Sequence, residues 1–353
     1  MSPPPSPPST AAPAAPPMPS EPAAKVDVAP TPPAPPEVKP TAEQVKTVEA
    51  FDGDWTYEAT IVPPGSKPIK ATIGMSCKKI ALGKGAACAM SDTIPGVGPV
   101  EGGFLVGFDP YDKTMHFMAV TSDDEIHDHR CKWKDETHLA CEPLKAGLGG
   151  QPATEELSFS FEKDAAGFAS TTTMKNGKFI FNATNGKRGA LPPKKDAGKA
   201  KAPKPSAEQK RTVESFTGEW KLDGTITTPD GKTVKAPTSI SATKTALGKG
   251  ISGLMSGSAE GMGTFEAGIL VGFDPLDKTL HFMAVTTDDE VHDHRCKWKD
   301  DKNAVCEPLH AGMKGEPITE DLSFNFEKGS MSFKSVVTMK DGGKMVFEGK
   351  GAK

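Results

Sequence analysis

No run of 18 or more apolar residues occurs in this 353-residue chain, so nothing in it reads as a helix that spans a bilayer. Charge of one sign is also lacking. The 42 Lys and Arg stand against 46 Asp and Glu, a net of −4, which gives no global attraction to nucleic acid or to a membrane surface. There is no G-x-S-x-G nucleophile elbow, no phosphate loop and no paired-carboxylate motif, so none of the common enzyme signatures is present. No C-x-x-C knuckle occurs among the six cysteines. The N-terminal stretch has no basic start followed by an apolar segment, which would mark a signal peptide, and no cysteine to carry a lipid.

What is there is a unit written twice. The nonapeptide HDHRCKWKD at His127–Asp135 returns letter for letter at His292–Asp300, an offset of 165 (292 − 127). A period this long is a duplicated domain, because solenoid repeats run to about 20–50 residues. The expected organisation is a Pro/Ala-rich disordered segment at 1–40, a first repeat at 41–185, a basic Lys/Pro/Ala linker at 186–205 and a second repeat at 206–353. The linker reads as a solvated spacer.

Each repeat opens on a short helical signal, with Thr41 or Ser206 placed to cap it. A G-x-W strand follows, in which Trp55, Tyr57, Ala59 and Ile61, or Trp220, Leu222, Gly224 and Ile226, share one face. After that come short alternating segments separated by tight turns such as LGKG, SDD and Asn176-Gly177. About ten short strands per repeat, with no long helical pattern, predict an all-β fold. An antiparallel up-and-down barrel removes its exposed edges by closing.

G-x-W after a short helix resembles the calycin superfamily, which includes lipocalins and fatty-acid-binding proteins. The G-F-D-P turns at Gly107–Pro110 and Gly272–Pro275, each followed by an aromatic strand, resemble a bacterial domain-of-unknown-function family of calycin-like barrels. The resemblance covers nearly all of each repeat. It implies two tandem barrels, and it implies that small apolar molecules bind inside them. It transfers no catalytic residue.

Parity sorts the repeated nonapeptide. Ile126, Asp128, Arg130, Lys132 and Lys134 share one face, which is mostly charged and expected to meet water. His127, His129, Cys131 and Trp133 share the other, expected to point inward, as do His292, His294, Cys296 and Trp298. The candidate ligand-binding residues are therefore His127, His129, Trp133, His292, His294 and Trp298. Phe159, Phe161 and Trp55 add apolar interior area. His116 and His281 lie in strands with two apolar faces, so parity does not orient them. The acidic turn Ser122–Glu125 reads as a solvated loop.

Folding the chain at KDETH sets Cys131 opposite Cys141, and Cys296 falls opposite Cys306 in the same way. Cys77 and Cys88 flank the LGKG turn and are replaced together, by Ala242 and Gly253, in the second repeat. Three disulfides account for all six cysteines and imply an oxidising compartment, the periplasm or cell envelope; reduced thiols in the cytoplasm are the alternative.

A two-His, two-Cys metal set from His127, His129, Cys131 and Cys141 is disfavoured. His127 lies roughly 13 Å from Cys131 along a strand that rises about 3.3 Å per residue, too far for one tetrahedral ion. No metal, cofactor or catalytic residue is expected. The preferred function is non-catalytic: binding of a small apolar ligand, or an envelope interaction module. A His/Cys metal-binding protein and a hydrolytic enzyme are the rivals. Non-reducing peptide mapping tests the cysteine reading: it should find three links and no free thiol, whereas six free thiols would contradict it.

Overall fold

The structure, a computed structural model, describes residues 39–163, 165–193 and 204–353. Residues 1–38 of the Pro-rich segment expected to be disordered, and residues 194–203 of the basic linker, lie outside the described residues.

Helix α1 (Ala42–Phe51) begins with a capping box: Gln44 N–H donates to Thr41 Oγ1, and Thr41 N–H donates to Gln44 Oε1. Helix α2 (Ala207–Phe216) repeats this with Ser206 and Gln209. The G-x-W motif then ties helix to barrel. Gly53 takes a φ of 109°, a conformation that favours glycine, and turns the chain so that Trp55 Nε1 donates to Phe51 O at 2.9 Å. Gly218 and Trp220 do the same against Phe216 O, also at 2.9 Å. Phe51 thereby enters the barrel end and packs on Phe117, Phe159 and Phe161, with ring centroids 5.0–6.1 Å away.

The first barrel comprises β1 (Gly53–Val62), β2 (Ile69–Ile80), β3 (Gly85–Ile94), β4 (Gly98–Asp109), β5 (Thr114–Thr121), β6 (Ile126–Trp133), β7 (His138–Cys141), β8 (Leu144–Leu148), β9 (Gln151–Glu162), β10 (Ala165–Met174) and β11 (Gly177–Arg188). Ten of these close into an antiparallel ring, β7 pairing with β9 and β11 returning to β1. The eleventh, β8, was not expected. It continues β7 beyond a break at Glu142–Pro143 and pairs with the first half of β9 alone. β11 also runs to Arg188, so its last three residues belong to the barrel wall and not to the linker. The second repeat closes ten strands in the same order, from Gly218–Thr227 to Lys344–Ala352, with two short side strands.

All three disulfides join register partners: Cys77 with Cys88, Cys131 with Cys141, and Cys296 with Cys306.

The two barrels pack against each other through their outer faces. Ile80, Leu105, Met118, Val120 and Ile126 meet Leu270, Met283, Val285 and Val291 in one continuous apolar cluster. This corrects two expectations. Ile126 and Asp128 do not meet water; they are 1% and 8% exposed, because the other barrel covers them. The acidic turn is not a solvated loop either. Asp124 and Asp289 project from turns of positive φ onto lysines of the opposite barrel: Lys249 Nζ lies 2.8 Å from Asp124, and Lys84 Nζ lies 2.9 Å from Asp289. Gln209 and Gln44 donate to the same two aspartates.

Each contact has its mate with the partners exchanged, the reciprocity of a two-fold interface built within one chain. Close approach requires glycine: a Cβ on Gly85 would come within 2.5 Å of Val285, and one on Gly250 within 2.4 Å of Val120. This cover also explains why β4 and β5 are apolar on both faces, as buried sheets are.

Lys84 is 2% exposed, so removing its charge strands Asp289 at the interface. Breaking a buried pair costs about 3–5 kcal/mol. Lys84→Ala should fall near the lower end, because Gln44 still reaches Asp289. Urea denaturation of the variant measures it, and a loss within about 0.5 kcal/mol of zero, the surface-substitution range, would contradict the buried pair.

Candidate functional site

Four polar side chains meet inside each barrel. In the first they are Glu125 immediately before β6, His127 and His129 on β6, and Glu155 on β9. The histidines face inward as parity predicts. They come within reach of β9 because of the broken strand: β6 pairs with β7 only at Cys131–Trp133, and β8 pairs with β9 and not with β6. Glu155 is 4% exposed and His129 is fully buried.

The hydrogen bonds fix the chemistry. His129 Nδ1 donates to Phe117 O, its cross-strand partner, at 2.9 Å. Its Nε2 then faces Glu155 Oε2 at 3.0 Å and His127 Nε2 at 3.1 Å. Glu155 Oε2 also lies 3.2 Å from His127 Nε2, while Ser170 Oγ donates to Glu155 Oε1 at 2.5 Å. Glu125 Oε1 stands 3.5 Å from His127 Nε2 and 3.7 Å from His129 Nε2. His127 Nδ1 is buried with no hydrogen-bond partner.

The second barrel repeats the set as Glu290, His292, His294 and Glu320. His294 Nδ1 donates to Phe282 O at 2.9 Å, its Nε2 lies 2.6 Å from Glu320 Oε2, and Ser335 donates to Glu320 Oε1 at 2.5 Å. His292 Nε2 is 2.9 Å from Glu290 Oε1 but out of line for a hydrogen bond, and neither of its ring nitrogens has a hydrogen-bond partner.

Burial acts on all of these groups, and their neighbours decide the outcome. Burial and the Glu155 carboxylate push the Glu125 carboxyl well up. Burial also acts to raise Glu155, but the hydrogen bonds with His127 and His129 outweigh it and hold it low. Burial and His129 press His127 down to about 4. In the second barrel burial would lower His294, yet the Glu320 carboxylate lifts it to about 10.

Trp133 and Trp298 stand apart from these clusters. Trp133 packs on Phe161 with Lys46 over its ring, and Trp298 packs on Phe326 beneath Arg211. The two-His, two-Cys set does not form, since the cysteines are bridged to one another. Glu155 and Glu320 were missed in the sequence, although a signal was there. Each lies two residues before the inward row Leu157, Phe159, Phe161, or Leu322, Phe324, Phe326, so each is an acid on an apolar face.

His116 and His281, which parity left unoriented, point outward to the interface. His116 sits between Asp112 (3.0 Å) and Asp128 (3.1 Å), and His281 between Asp277 (3.1 Å) and Asp293 (3.0 Å).

No family model and no curated protein matches the chain. Among solved structures it is similar to a protein of unknown function of the DUF3598 family from Nostoc punctiforme, at 9% identity and a TM-score of 0.29, with 89% of this chain and 100% of that one covered. It is also similar to a protein from Bacteroides fragilis described provisionally as an outer membrane protein, at 9% identity and a TM-score of 0.26, with 87% and 99% covered. At these scores neither likeness bears on what the chain does. Among the described residues, no helix is long and apolar enough to cross a membrane.

The two barrels differ most in what fills them. In the first, Tyr57, Phe104, Phe117, Phe159 and Phe168 pack ring on ring through the interior. In the second, Leu222 replaces Tyr57 and Ile269 replaces Phe104, while Gly224, Ala242 and Gly253 replace Ala59, Cys77 and Cys88. A cavity of about 230 Å³ results. It runs from Phe216 and Trp220 at the helix-plugged end, past Ile269, toward Met262 and Met313, and Glu290, His294 and Glu320 lie on its wall.

Proposed function

We propose that the second barrel holds a small, mainly apolar molecule with one polar end, and that the protein works in an oxidising compartment outside the cytoplasm. The cavity carries this reading. It is concave, lined by aliphatic and aromatic side chains, and furnished with one convergent polar group at Glu290, His294 and Glu320, the composition usual for ligand pockets. Its volume of about 230 Å³ lies just under the ~300–1,000 Å³ typical of such sites, which favours a compact guest over a long-chain lipid. Three disulfides support the compartment, because such bonds persist where glutathione and thioredoxin do not reduce them. The first barrel, with rings across its interior, serves as the partner that covers the second.

Trp220 lines the cavity and provides a reporter. Titration of the full chain with medium-chain fatty acids and alkylphenols of graded length should give a saturable fluorescence change. Ile269→Phe, which installs the first barrel's residue, should weaken binding at least tenfold, or about 1.4 kcal/mol. Equal affinity in that variant, or a response to inorganic phosphate and to no apolar probe, would contradict the proposal.

A further inference from the structure

We propose that each barrel binds one divalent transition-metal ion of the zinc class, held in the first by Glu125, His127, His129 and Glu155 and in the second by Glu290, His292, His294 and Glu320. This goes beyond the cavity reading and does not depend on it, since the ring-filled first barrel carries the same four residues.

His129 Nδ1–H is spent on Phe117 O, and His294 Nδ1–H on Phe282 O. With Nδ1–H spent, a neutral ring presents a lone pair at Nε2, and only a protonated ring, the state that Glu320 favours in His294, carries a second N–H there. That lone pair faces a carboxylate oxygen, Glu155 Oε2 at 3.0 Å or Glu320 Oε2 at 2.6 Å. Two lone pairs do not approach so closely unless a proton or a cation lies between them. A ring nitrogen tied to a backbone carbonyl, with the other aimed at a shared point, is the arrangement that orients metal-ligating histidines.

Bonds of about 2.0–2.2 Å to nitrogen and oxygen in a tetrahedron place the ligand atoms about 3.3–3.6 Å apart. In the first barrel five ligand-to-ligand distances are 3.0, 3.1, 3.2, 3.5 and 3.7 Å. In the second they are 2.6, 2.9, 3.4 and 3.9 Å, and all four atoms of each set lie within 4.8 Å of one another. A proton shared within one pair would explain one short distance, not four atoms converging on a point.

The imidazole of His292 makes no hydrogen bond. It is 6% exposed and aimed at Glu290 and Glu320. Buried polar groups are almost always satisfied, and a cation at the convergence point would satisfy this one. Two carboxylates and two imidazoles also suit the charge, since a divalent ion neutralises both acids in an interior that disfavours net charge.

The test uses the full chain, stripped with a chelator and then titrated with zinc(II) or cobalt(II). Two equivalents should bind by elemental analysis, cobalt should give the intense visible bands of a tetrahedral centre, and the melting temperature should rise with added zinc. Glu155→Gln and Glu320→Gln, which keep side-chain size and the serine hydrogen bond, should each reduce two equivalents to one. Ile269→Phe should leave the first barrel's equivalent in place, so a failed ligand titration and a failed metal titration are told apart. Folding of the variants is checked by near-ultraviolet circular dichroism and by the three disulfides. A folded wild-type chain that takes up no stoichiometric metal, or a folded Glu155→Gln and Glu320→Gln double variant that still binds two equivalents, would overturn the proposal.

Discussion

Closing ten antiparallel strands into a ring sends alternate residues into a space with no bulk water, and most features of this chain follow from that constraint. An inward position must be apolar, paired or hydrogen-bonded, because an unpaired buried charge costs several kcal/mol. Tyr57, Phe104, Phe117, Phe159 and Phe168 meet the requirement by ring packing. Cys131 and Cys141, directly opposed, meet it by bonding to each other. Glu155 meets it only because two imidazoles and a serine hydroxyl surround it. The tryptophan bond to the helix end and the phenylalanine plug complete the closure at one end.

Duplication adds a second constraint. Two barrels of one chain cover each other's outer faces, so those faces carry leucine, methionine and valine where a lone barrel would carry charge. The reciprocal Lys84–Asp289 and Lys249–Asp124 pairs cross that contact, and desolvation offsets much of their attraction. With the exterior fixed by mutual cover, the interiors have been free to differ. One is crossed by rings and carries the extra Cys77–Cys88 bridge; the other has smaller side chains and a cavity. The four-residue polar cluster is kept in both, although its surroundings are not.

The periodic parts of this architecture could be read from sequence. Strand alternation gave two closed all-β units, the hairpin at KDETH gave the cysteine pairs, and parity turned His127 and His129 inward. What the sequence could not reveal was contact between distant surfaces. The face of Ile126 and Asp128 looks like a solvated one because the covering barrel is 165 residues away in the chain. Leu144–Leu148 was missed because Pro143 interrupts the alternation that would have marked it. Glu155 is hidden in the sequence because its strand reads as an apolar row of Leu157, Phe159 and Phe161 that starts one step later. The cavity depends on paired substitutions such as Phe104 to Ile269, whose sum of volumes is visible only once the strands enclose them.

The two buried His/Glu clusters are, on this reading, cation sites rather than proton-sharing networks. Anomalous diffraction from crystals of the zinc-supplemented full chain, collected on both sides of the zinc absorption edge, tests it most directly. One anomalous peak per barrel is expected, about 2.0–2.2 Å from His129 Nε2 and Glu155 Oε2 in the first and from His294 Nε2 and Glu320 Oε2 in the second. An ordered cluster with no peak at either position, each imidazole hydrogen-bonded straight to its carboxylate, would contradict it.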